Sequence, residues 1–169
     1  MTSAASAAST LQDHAAFWSM GEIRAGGIVD AACDALVAGL DSPALRMLAA
    51  CTRSEADYEV PELLPRALGE LGLTFHPLAS EAGREAAARA VAARLVAGEL
   101  PPRELASRIH ELFGHTLPLA KRLAELDDEY DLLEYGDRTA EEVDAEVTAE
   151  AHRLAAHPRV RTAPGDASG

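Results

Sequence analysis

The stretch LPLAKRLAELDDEYDLLEY, residues 117–135, decides the fold class. Leu119, Leu123, Leu126, Tyr130 and Leu133 recur at alternating steps of four and three residues. A spacing near 3.6 places all of them on one narrow seam of an α-helix. Gly136 marks the end of that helix, and Thr139 with Glu142 has the spacing of a capping box opening a second helix that runs to about residue 157. Val143, Val147, Ala151 and Leu154 supply the apolar face of this second helix. The connection through Gly136, Asp137 and Arg138 is short. Residues 117–157 are therefore expected to fold back as an antiparallel helical hairpin.

Working outward, the rest of the chain shows the same grammar. A helix is expected over about 27–38, with Ile28, Ala32 and Leu36 at helical spacing and Gly39 at its end. Ser42 followed by Pro43 reads as a cap and first residue of the next, which carries Leu45 and Leu48. Ser54 and Asp57 have the S-x-x-D spacing of a helix start, and Pro61 and Pro65 place the following helix at about 61–71. An alanine-rich helix is expected from Ser80 to about Ala97, and another over 102–113 with Leu105, Ile109, Leu112 and Phe113 facing one way. No segment reads as a strand and no fixed-period repeat appears. The expected fold is all-α, a single-domain bundle of six or seven helices ending in the hairpin.

Composition agrees. Of 169 residues, 48% are nominally apolar, but alanine supplies 36 of them and leucine 22, against 11 Val or Ile and 7 aromatics. Alanine and leucine favour helices, and the shortage of β-branched and aromatic side chains disfavours sheets. The length suits one domain, expected over 11–157 between a disordered leader (1–10) and a disordered tail (158–169). Phe17 and Trp18 read as the anchor of an N-terminal helix on the core. The first ten residues carry no Lys or Arg, so they lack the charged region of a signal peptide, and no window is apolar enough to span a membrane. Cytoplasmic residence is the expectation. Cys33 and Cys51 are read as buried thiols rather than as a disulfide or metal site.

Charge is distributed unevenly. The chain has 15 basic and 28 acidic residues, for a formal net charge of −13. Between Glu125 and Glu150 there are 12 acidic residues and one base, Arg138, a local net of −11; the remainder carries 16 acidic and 14 basic residues, a net of −2. This pattern opposes binding to nucleic acid or to an anionic membrane surface. Asp127, Asp131 and Glu134 share one helical face, and Glu146 and Glu150 continue the i, i+4 run begun by Glu142. Folding the hairpin would bring two columns of like charge together, at a cost to the monomer. Two readings stand side by side: a solvated acidic face, or a docking surface for a basic protein partner made by Asp127, Asp131, Glu134, Glu146 and Glu150. The leucine seams suit packing within the chain or across a homodimer.

Motifs for chemistry are sparse. His110-Glu111-Leu112-Phe113-Gly114-His115 invites comparison with H-E-x-x-H, but its histidines are five apart, about 140° around a helix, rather than four. His110 is expected at the edge of a helix face and His115 in a turn, with no metal bound. Asp127, Glu129 and Asp131 match the start of an EF-hand loop, but Leu132 and Arg138 stand where that loop needs Gly and Glu. The chain contains one lysine, Lys121, whose i, i+4 neighbour Glu125 makes a surface ion pair the better account. No phosphate loop, nucleophile elbow or C-x-x-C occurs, and no catalytic residue or cofactor is assigned. The expected function is a non-catalytic interaction module, either an immunity- or antitoxin-like inhibitor or a regulatory protein. The alternative is a small helical enzyme or a small-molecule or metal-binding protein whose site lies between helices, drawing on His110, Glu111 and Asp131.

The stretches GLDSPALR (39–46), GELPPRE (98–104) and LDDEYD (126–131) resemble segments of small, uncharacterised helical proteins from high-GC actinobacteria. The Ala/Arg-rich, Lys-poor composition is similar. The resemblance covers about residues 27–154 and implies no activity and no site residues.

Overall fold

A computed structural model describes residues 3–156. Among them are eight α-helices, two short 3-10 turns and no strand. None of these helices is long and apolar enough to cross a membrane. The described residues group into two compact units, 3–83 and 84–156. The boundary falls within one alanine-rich helix, where the sequence carries no linker composition to mark it.

The first unit contains α1 (Ala4–Ser19), α2 (Ala25–Val37), α3 (Pro43–Ala50) and α4 (Arg53–Glu70). Helix α1 corrects the expectation of a disordered leader. Ser3 caps it by accepting from the Ser6 backbone N–H, and the buried Ala7 and Leu11 form one face of it. An alanine-rich start that lacks large side chains is still an excellent helix when one face has something to pack on. Trp18 is buried in the core, as its anchoring role requires. Ser42 accepts from the Leu45 N–H at the start of α3, as expected. From the far end of α4, Glu70 accepts from the Ala44 N–H at 2.8 Å. That backbone bond, and next the Ser42 hydroxyl, hold the Glu70 carboxyl below its ordinary range.

Helix α4 begins eight residues before the expected start and runs through both prolines. Its cap is Thr52, not Ser54: the Glu55 carboxylate accepts from the Thr52 N–H at 2.9 Å and from its hydroxyl at 2.7 Å. Pro61 and Pro65 lie four apart on one side, while Ala56, Val60, Leu63, Leu64, Ala67 and Leu68 are buried on the other. Packing of six residues outweighs two lost backbone bonds. The core of this unit joins Leu11, Trp18, Ile28, Leu45, Leu48, Val60, Leu64 and Leu68, with Phe75 of the following loop packed against it. That loop is pinned to α1 by Gln12, whose side-chain carbonyl accepts from the Thr74 N–H at 2.8 Å and whose amide donates to the Thr74 carbonyl. Cys33 is exposed and Cys51 half-buried, so the expected buried thiols are corrected; Cys51 follows the end of α3 and packs only partly against the core.

Helix α5 (Glu81–Val96) opens with the Ser80 hydroxyl accepting from the Gly83 N–H. Ala87, Val91 and Leu95, which recur every four residues along it, are buried. The second unit continues with α6 (Pro102–Phe113), α7 (Lys121–Asp131) and α8 (Ala140–Ala156). Helix α7 is shorter than the seam implied. Leu117 is extended because it precedes Pro118, and a 3-10 turn, Pro118–Ala120, leads into the helix. At the other end the last turn has no basic residue and several carboxylates, which oppose the helix dipole, so the chain tightens into a second 3-10 turn, Leu133–Tyr135. Leu123, Leu126 and Tyr130 of the seam are buried, whereas Leu133 is half-exposed. Thr139 caps α8 reciprocally with Glu142, as expected. Arg153 donates to the Leu119 carbonyl, Arg122 to Glu146 and Tyr130 to Asp144, so numbers rise on one helix as they fall on the other: the hairpin is antiparallel.

Candidate functional site

Packing Leu123, Leu126 and Tyr130 inward against α6 and α8 decides where the carboxylates of α7 go. Asp127 is turned toward α6 and accepts from His110 Nδ1 at 2.9 Å. Asp131 is exposed, with Arg103 at 3.9 Å. Glu134, in the 3-10 turn, is exposed. Glu150 is held by Arg153 at 2.7 Å. The Tyr130 hydroxyl donates to Asp144, and burial, then this carboxylate, raises the phenol above its ordinary range.

Glu146 is part of a structure that the sequence reading missed. Arg122 donates to Glu129 at 2.8 Å and to Glu146 at 2.6 Å, and Arg138 donates to the remaining oxygens of the same two carboxylates. Four side chains of alternating sign thus close a ring between α7, the turn and α8. The expected clash of two acidic columns is corrected: Asp127 and Asp131 meet His110 and Arg103 of α6, and where carboxylates of the two helices do meet, at Glu129 and Glu146, two guanidinium groups stand between them. The available signal was Arg122 two turns before Glu129, together with Arg138 as the only base in the acidic run. The carboxyl of Glu146 lies below its ordinary value because of its bonds to Arg122 first and Arg138 second.

A pH dependence follows from that shift. A carboxyl held below its unfolded value of 4.5 stabilises the fold above that value and loses the contribution as pH falls through the lower, folded value. Acid titration followed by circular dichroism should therefore show a loss of stability that sets in as the pH falls below about 5. In Arg138→Met the loss should be shallower. At neutral pH that variant should be less stable by about 0.5–1 kcal/mol, the scale of partly exposed pairs.

The histidines also depart from expectation. Gly114 ends α6 with φ 55° and ψ −142°, and this turn folds His115 back toward His110. Their rings lie 4.9 Å apart at 62°. Asp128 reaches His115 Nε2 at 3.1 Å and His110 Nδ1 at 3.7 Å. The 140° separation holds only for a continuous helix, and the positive-φ glycine removes that premise.

The tip of the hairpin presents a different surface. Leu132 and Tyr135 are 60% and 84% exposed, and Asp131, Glu134, Asp137 and Glu141 around them are exposed as well. A shallow cleft of about 260 Å³ beside them is lined by Glu129, Leu132, Leu133, Gly136 and Arg138. Comparisons with protein-family models, curated proteins and solved structures find no match.

Proposed function

We propose that the protein is a non-catalytic interaction module that docks a basic surface of another protein through the tip of the α7–α8 hairpin. The observation that carries this reading is an exposed leucine and tyrosine surrounded by four exposed carboxylates. A large aromatic anchor inside a charged rim is the usual make-up of a small interface, and charge complementarity selects the partner and speeds its approach. Glu146 and Glu150 are engaged with arginines of their own chain, so they serve the hairpin's integrity. Of the five residues marked from the sequence, Asp131 and Glu134 remain to meet a partner, joined by Asp137 and Glu141. An immunity- or antitoxin-like inhibitor covering a basic active site and a regulatory adaptor both ask this of the surface.

The test compares variants rather than relying on capture itself. Tag-free protein is coupled to resin and exposed to extract from source cells. The bound partner should be retained near 0.05 M salt and released near 0.5 M, since the screening length falls from roughly 10 Å at 0.1 M to a few ångströms. It should be lost from E134K/D137K/E141K and weakened in Tyr135→Ala. It should persist on D57K/E59K/E62K, which reverses three exposed charges of α4. Equal loss from both triple variants means that net charge, not this surface, governs binding, and the reading fails.

A further inference from the structure

We propose that His110, His115 and Asp128 bind one divalent transition-metal ion of the zinc class. The three side chains each offer a donor atom, and those atoms lie within 4.8 Å of one another. Zinc holds imidazole nitrogens and carboxylate oxygens at about 2.0–2.2 Å, which spaces tetrahedral ligands about 3.3 Å apart. His115 Nε2 and Asp128 Oδ2 already stand at 3.1 Å. The farthest donor must move by about 1.5 Å, within reach of side-chain rotation at sites that are partly exposed. Two imidazoles with one carboxylate form a mixed nitrogen–oxygen set, which suits zinc, nickel, cobalt or copper and discriminates against magnesium and calcium.

The surroundings favour a cation. Asp127 and Asp128 bring two negative charges beside two imidazoles in the most acidic part of the chain, and a dication neutralises both. Asp127 contacts His110 Nδ1 at 2.9 Å. Asp128 also meets His110 through Nδ1, at 3.7 Å, so an ion on that nitrogen takes the place of the Asp127 bond, and Asp127 stays beside it as a second negative charge. His110 is positioned by the packed helix α6, and His115 by the fixed turn at Gly114. Half-exposed ligands leave room for water to complete the coordination. The residues are distinct from the hairpin tip, so this inference does not rest on the docking proposal.

Isothermal titration of tag-free, full-length protein with zinc chloride tests it, with magnesium and calcium chloride run in parallel. One zinc ion per chain is expected, with no heat from the other two. His115→Ala and Asp128→Asn should each weaken zinc binding at least about 10-fold. His115 lies in a turn and Asp128 is exposed, so these variants should keep the native circular dichroism. The H14A/H152A double variant should bind as the parent does. Cobalt substitution gives a second readout: its visible absorption should appear in the parent and vanish in His115→Ala. Absence of stoichiometric zinc binding, affinity unchanged from the parent in His115→Ala and Asp128→Asn, or loss confined to H14A/H152A overturns the assignment.

Discussion

Leu126→Ala is expected to destabilise the unit formed by residues 84–156 by about 2–5 kcal/mol. Leu126 is fully buried at the centre of the seam, on the helix that packs against both α6 and α8. Removing its branched end loses the transfer energy of three carbons and leaves a void that helices on two sides cannot both close. Leu132→Ala, six residues further on, is expected to stay within about 0.5 kcal/mol, because its side chain is mostly in water. Denaturant unfolding of the two variants, with hydrogen exchange of amides in α6, α7 and α8, measures the contrast. Similar effects at the two positions would refute the claim that this seam organises the hairpin. The pair also guards the docking test, since residues at the tip can be changed without unfolding what carries them.

What the sequence made legible was periodicity, and what it hid was contact. The seam of α7, the stripe of α5 and the cap of α8 rest on residues within a few turns of each other, so their spacing carries the answer. The start of α4 was lost because Pro61 and Pro65 read locally as marking a helix start, whereas Val60, Leu64 and Leu68 carry the helix through them once a core exists. The first turns of α1 were passed over for the same reason: Ala7 looks like filler until Leu11 and the core give it a side to bury. In the candidate sites the decisive partners are distant. Arg122 meets Glu146 across 24 residues and His110 meets Asp127 across 17. Counting charges found the acidic segment, but tertiary packing sorted its carboxylates into those held by arginine, those beside histidine and those left at the tip.

The second large effect concerns alanine. Ala32→Leu is expected to destabilise the unit formed by residues 3–83 by about 1–3 kcal/mol, even though it adds apolar surface to a helix. Ala32 is fully buried in α2, which packs against α1, α3 and α4, and it belongs to the same core as Leu11, Ile28, Leu45, Leu48 and Leu64. In a chain with 36 alanines and 22 leucines, leucines fill the core and the small residues set how closely the helices approach. Three more carbons at such a contact must push a neighbouring helix away or force a leucine out of its rotamer, and each costs more than burial returns. Ala50→Leu, exposed at the end of α3, should change stability by less than about 0.5 kcal/mol. Thermal or denaturant unfolding decides between filling and spacing. A stabilised Ala32→Leu, gaining toward ~0.8 kcal/mol per added methylene, would show unfilled space in the core and would remove alanine from the account of how these helices meet.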